Sequence, residues 1–175
     1  MTKEEIAQEL IERYARFADM VDALGESFDK APEGKWTPGQ QLEHLGKSVK
    51  PIAQGLRLPY FLLKWEFWTA NRPSRTYDEV VAKYLNKIPK GYVPNKQYLP
   101  EPVSIKKKNV LNRDLERSVH SITRSLKKMS EKQVDELVLP HPLIGRITLR
   151  EMMYFTLYHV DHHYENVQRD QKNLS

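Results

Sequence analysis

Leu149-Arg150-Glu151-Met152-Met153-Tyr154-Phe155-Thr156-Leu157-Tyr158-His159-Val160-Asp161-His162-His163-Tyr164-Glu165-Asn166-Val167-Gln168 is the stretch whose reading decides the fold class. An α-helix turns about 100° per residue, so residues three and four apart share a face. With His163 as reference, Leu149, Met152, Thr156, His159, Val160 and Val167 fall within about 60° of it. Tyr154, Tyr158, Asp161 and Glu165 point the other way, and His162 lies on the flank. The periodicity therefore predicts a helix with His159 and His163 one turn apart in the middle of its apolar stripe.

Two imidazoles in an apolar place each need a polar partner. The i, i+4 spacing sets their Cβ atoms about 5–6 Å apart, within reach of one shared ion. Spacing alone leaves two readings open: a metal-ligating pair, or hydrogen-bonded core histidines. The pattern is short, and it lacks the glutamate of His-Glu-x-x-His.

Composition narrows the chemistry. The 175 residues suit one ordinary domain, 1–175, with a single core. No cysteine is present, which excludes disulfides, thiolate ligands and a cysteine nucleophile. A bound metal must then rest on His, Asp, Glu or water. The net charge of +5 is dispersed along the chain and accompanies no nucleic-acid reading motif, so nucleic-acid binding is disfavoured. Met1-Thr2-Lys3-Glu4-Glu5 is polar and opens a helix, not an apolar signal segment. No stretch reaches the roughly 20 apolar residues of a membrane span, and the expected location is the cytoplasm.

Upstream of the histidine helix, three more long amphipathic helices are expected. The first spans 2–28, capped by Thr2, with Ile6, Leu10, Tyr14, Phe17, Val21 and Leu24 on its stripe. The second starts at Thr37-Pro38, an N-cap followed by proline at the first helical position. Its stripe is Leu42, Leu45, Val49, Ile52 and Leu56. His44 lies about 100° from Leu45, on a flank shared with Gln41 and Ser48. Pro51 predicts a kink or break. The apolar run from Leu56 to Trp68 reads as core, as a pocket mouth or as a homodimer contact.

Residues 70–103 carry Pro73, Pro89, Pro94, Pro100 and Pro102. They predict one short helix, 76–87, inside a long irregular crossover that packs over something. A third long helix follows, 104–129, with Val110, Leu111, Leu115, Val119, Ile122 and Leu126 buried. A helical turn at 130–137 leads to a loop, Leu139-Pro140-His141-Pro142-Leu143-Ile144-Gly145-Arg146-Ile147, in which His141 is expected to be exposed. Thr148 and Glu151 then form a capping box for the last helix. Period-2 alternation of any length is absent. Four long helices with one long crossover imply an all-α four-helix bundle.

Two signatures together resemble the DinB/YfiT-like family of helical-bundle proteins. One is Trp36-Thr37-Pro38 followed by His44-Leu45. The other is His141-Pro142, Gly145, Thr148, Phe155 and His159-x-x-His162-His163-x-x-x-x-Gln168. The likeness extends over 2–170. It implies an up-down-down-up bundle whose long crossover joins the second and third helices. It also implies a divalent metal, zinc or nickel, held by His44, His159 and His163. His162 matches a recurrent histidine of the family that is not usually a ligand. Where the family often carries a glutamine this chain has Val167, a departure that weighs against Gln168.

Three imidazoles leave open metal positions for a water or a substrate atom. The resemblance thus implies a metal-dependent enzyme acting on a small-molecule substrate, as a hydrolase or as a transferase using a low-molecular-weight thiol. His162 and His141 are the candidate general bases. The rival reading is a non-catalytic bundle that binds a small ligand or a partner protein, with the histidines merely structural.

Overall fold

Helices begin where side-chain oxygens can satisfy the first free backbone N–H groups. Capping boxes pair Thr2 with Glu5, Thr37 with Gln40 and Thr148 with Glu151. They open α1 (Lys3–Ala23), α2 (Pro38–Gly55) and, near the end of the chain, the histidine helix Leu149–Lys172. The computed structural model describes residues 1–89 and 91–174. Between these helices lie α3 (Tyr60–Glu66), β1 (Trp68–Thr69), α4 (Tyr77–Lys87), α5 (Lys108–Lys128), α6 (Glu131–Glu136), β2 (Leu137–His141) and β3 (Gly145–Thr148). The histidine helix is α7.

Contacts between distant segments give the helix directions. Arg13 and Arg16 in α1 both meet Asp161 in α7, and Met1 approaches the Tyr154 hydroxyl, so α1 and α7 run parallel. Lys108 and Asn112, opening α5, bond Asp22 at the end of α1, so α5 runs antiparallel to α1. Gln41 and His44 face His163 and His159, so α2 runs antiparallel to α7. Ser125 near the end of α5 donates to the Leu56 carbonyl just past α2, so these two are parallel. The order is up-down-down-up. The parallel α2–α5 pair requires the long crossover, because a short loop can join only antiparallel neighbours.

The core is built from the expected stripes: Ile6, Leu10 and Phe17; Leu42, Leu45 and Val49; Leu115, Val119 and Ile122; Leu149, Met152 and Val160. Several local expectations are corrected. The first helix stops at Ala23, and a 3-10 turn over Gly25–Asp29 with Gly25 at φ +51° carries Phe28 into the core. The third long helix begins at Lys108, where Val110 is exposed and Leu111 only half-buried. Helix α2 runs through Pro51 to Gly55, and the chain breaks afterwards, at residues 56–59. The Leu56–Trp68 stretch divides. Leu56 and Leu63 are buried, while Phe61 and Trp65 are 69% and 84% exposed.

The chain also contains a small sheet that period-2 reading overlooked. Trp68 pairs Val138, and Leu139, Pro140 and His141 pair Ile147, Arg146 and Gly145, all antiparallel. Strands of two to five residues are too short to display alternation. The sheet turns the expected 139–147 loop into a hairpin and buries His141 to 7% exposure. Tyr154, expected on the outer face of the last helix, is buried because α4 covers that side, with Tyr77 edge-on to its ring at 6.0 Å. Among the described residues no helix is long and apolar enough to cross a membrane.

Candidate metal centre

The antiparallel crossing of α2 and α7 brings the histidines together. His44, on the flank of its own stripe, turns toward α7 at one residue's rotation from the core and is 5% exposed. His44 Nε2 lies 3.1 Å from His159 Nε2, which lies 3.0 Å from His163 Nε2. One ligand atom from each of the three rings falls within 4.8 Å of the others.

His44 Nδ1–H donates to the Tyr98 carbonyl at 2.7 Å. His163 Nδ1–H donates to Gln41 Oε1. A neutral imidazole carries one ring proton, so both Nε2 atoms present bare lone pairs. His159 Nε2 can donate one proton at most, so the two bare Nε2 atoms compete for it. A cation at the centre removes that conflict. The 3.0 and 3.1 Å separations suit one: metal–nitrogen bonds of about 2.05 Å put ligand nitrogens about 3.3 Å apart at tetrahedral angles and about 2.9 Å apart at right angles. The residues present therefore fit a divalent ion.

The environment keeps the rings neutral. Burial lowers the pKa of His159 and His163 well below 6.5, and neighbouring imidazoles act the same way, His44 first on His159 and His159 first on His163. Burial also lowers His44, against the opposing pull of the Tyr98 carbonyl. Aromatic rings close the site. Phe155 stacks on His159 with centroids 5.0 Å apart, and Trp36 packs on His44 at 5.0 Å and lies parallel to His163. One side stays open, onto a cavity of about 570 Å³ whose walls include Leu56, Leu63, Phe67, Tyr84 and His141.

The crossover accounts for part of this geometry. Its 3-10 turn Lys96–Tyr98 supplies the carbonyl that orients His44. Lys47 bonds the Leu99 carbonyl, and Glu43 accepts from the Glu101 N–H, so α2 holds the strap in place.

The two candidate bases fare differently from each other. His162 lies beside His163 at 5.3 Å between centroids, but Asn166 Nδ2 donates into its Nε2 lone pair at 3.0 Å. His141 is separated from His159 by the Phe155 ring, which it meets edge-on at 4.2 Å. His120 sits exposed on α5 beside Glu116, away from the cluster. Gln168 is exposed and donates to the Tyr164 hydroxyl. Sequence reading did not single out Gln41 and Tyr98 as the groups that orient the ligand rings. Gln41 left one signal, its place one turn before His44 on the same flank. Tyr98 left none.

A model of the DinB superfamily matches residues 9–167. The structure of YfiT from Bacillus subtilis, described as a probable metal-dependent hydrolase with an unusual four-helix bundle topology, aligns with 98% of this chain and 87% of that one. The TM-score is 0.61 at 20% identity. At that identity the likeness establishes the fold. No curated protein matches the chain.

Proposed function

The chain belongs to the DinB superfamily, and from that premise we propose a divalent-metal-dependent enzyme in which His44, His159 and His163 hold zinc or nickel through Nε2. The observation that carries the reading is the approach of the His44 and His163 Nε2 atoms to His159 Nε2, at 3.1 and 3.0 Å, the first two stripped of protons by bonds on the far side of the ring. An ion bound there supplies Lewis acidity, drawing the pKa of a coordinated water toward about 7 or keeping a thiol as its thiolate.

The protein's own part is orientation and exclusion of water. Gln41 and the Tyr98 carbonyl select the ligating tautomer and hold each ring in place. Phe155 and Trp36 keep the rings dry. The cavity beside the cluster leaves room for a small-molecule substrate at the remaining metal positions. A purely structural site closes its coordination sphere with protein groups, and no fourth His, Cys, Asp or Glu joins the three histidines among the described residues. Hydrolysis is the first reading, in line with the description of the Bacillus subtilis neighbour. Transfer to a low-molecular-weight thiol uses the same geometry with a different nucleophile.

Metal analysis of the purified chain after incubation with zinc or nickel tests the proposal. One ion per chain is expected, lost in both His44→Ala and His159→Ala with helicity retained. Folded wild-type protein that takes up neither metal refutes it. Turnover of an ester panel with and without added thiol then separates the two reactions.

A further inference from the structure

His141 ends β2 in the turn Pro140-His141-Pro142, and its ring is an acceptor on one side only. The backbone N–H groups of Leu143 and Ile144 both donate to Nδ1, at 3.1 and 3.2 Å. Two donors aimed at Nδ1 require its lone pair, so the ring proton resides on Nε2. The neighbouring prolines bring no N–H of their own and fix φ on either side of the histidine. Gly145, at φ +78°, closes the hairpin. The imidazole is thereby locked in one tautomer and one orientation. No described side chain or backbone group accepts from Nε2, and it is absent from the fully enclosed unpartnered atoms, so this N–H opens onto the cavity that the ring lines. Burial, with a smaller push from Lys83, lowers the pKa to about 4, which keeps the ring uncharged at neutral pH.

The rings packed against this imidazole are aromatic, and Lys83 is the charged side chain that acts on it. Phe155 lies edge-on at 4.2 Å and Tyr84 edge-on at 6.3 Å, with Leu139 and Leu143 at its base. Phe155 in turn stacks on His159, so the donor and the three-histidine cluster flank one phenyl ring. We propose that His141 is a substrate-binding donor, presenting Nε2–H to an uncharged acceptor oxygen, a ketone, ester or amide carbonyl, on an apolar substrate whose other end reaches the three-histidine cluster. The donor role rests on the hairpin geometry, and the reach to the cluster rests on the metalloenzyme reading. An uncharged donor packed among aromatic rings matches a neutral oxygen, since its N–H brings no charge of its own to offset a carboxylate's lost hydration. It also reverses the role expected of His141 in sequence. Its accessible nitrogen carries the proton and gives a hydrogen bond, and the lone pair a general base needs is occupied by the turn.

The test uses two isosteric probes, acetophenone and α-methylstyrene, which differ by a carbonyl oxygen in place of a methylene. Binding of each is measured on the full chain, metal-free and zinc-loaded. His141→Asn keeps an oxygen where Nδ1 stood, able to accept from Leu143 and Ile144, but has no group at the Nε2 position. The affinity ratio of ketone to alkene is expected to drop about tenfold in His141→Asn, the scale of one buried hydrogen bond, while α-methylstyrene binds as before. An unchanged ratio overturns the proposal. So does a ratio that depends on zinc and ignores the substitution, since the ketone would then sit on the metal, a result that leaves the metal reading standing. The converse, a ratio that tracks His141 in a protein that binds no metal, upholds the donor and refutes the metalloenzyme. Imidazole nitrogen NMR of the wild-type chain gives a readout that does not need the variant to fold. It should show the Nε2–H tautomer, with that proton shifting as acetophenone is added. A Nδ1–H tautomer, or no shift at saturation, overturns the proposal as well.

Discussion

Replacing Gln41 with leucine should weaken metal binding while leaving the metal-free fold nearly untouched. His163 Nδ1–H donates to Gln41 Oε1 in a place where Gln41 is 3% exposed. Leucine fills a similar volume but accepts nothing. In the metal-free protein the His163 ring has an escape: its proton can move to Nε2, which lies 3.0 Å from His159 Nε2 and finds an acceptor there. Metal binding closes that escape, because the ligating Nε2 must be bare and the proton must sit on Nδ1. The penalty of a buried unpaired N–H, about 1–3 kcal/mol, then falls on the bound state alone. That corresponds to a Kd raised about 5- to 150-fold, which overlaps the range seen when outer hydrogen bonds to metal ligands are removed. Competition for zinc and for nickel against a chromophoric chelator at neutral pH measures it, with circular dichroism confirming the fold. Gln41→Glu is the control, since a carboxylate still accepts from Nδ1 and should bind metal at least as tightly as wild type. Unchanged affinity in Gln41→Leu refutes the argument, and so does an equal loss in Gln41→Glu.

Stability of the metal-free chain should fall with acid before any carboxylate titrates. The pKa values of His44, His141, His159 and His163 are all lowered from 6.5, so the unfolded chain binds protons that the folded chain refuses. Stability is then full above about pH 6.5 and declines below it, by up to about 1.4 kcal/mol per pH unit for each such histidine; a urea midpoint that stays flat down to about pH 4.5 contradicts this. Glu151→Ala should cost about 2–4 kcal/mol in chemical denaturation. The carboxylate is fully buried, takes both Arg72 nitrogens at 2.6 and 2.8 Å and accepts from the Arg75 and Thr148 N–H groups, while the one-third exposure of Arg72 tempers the loss. Gly39→Ala should destabilise by about 1–3 kcal/mol through overpacking, because the new Cβ would come 2.6 Å from Phe28 in the core and 3.2 Å from Val103; a thermal midpoint equal to wild type would show that the Phe28 ring yields freely.

Local chemistry determined a good deal of this protein before any folding. The caps at Thr2, Thr37 and Thr148 stand where a hydroxyl three residues before Glu or Gln places them, since both partners lie within one turn. The pairing of His159 with His163 on the buried face follows from helical period alone. Periodicity could take His44 only as far as a flank, and resemblance to a family carried it to the cluster.

The tertiary structure decided whatever depends on contacts between distant segments. Gln41 and the Tyr98 carbonyl orient their rings from 122 and 54 residues away, and no local pattern marks such a partner. His141, between two prolines, has the composition of an exposed turn. It became buried because strands too short to announce themselves paired across the 139–147 segment and laid it against Phe155. Pro51 disfavours helix locally, yet α2 passes through it, with Val49 and Ala53 packed in the core on either side. Helix period and capping act over three or four residues, so they can be read in one dimension. Ring tautomers, burial of a turn and the closing of a metal-sized gap are set by which surfaces meet, and that is fixed only when the bundle assembles.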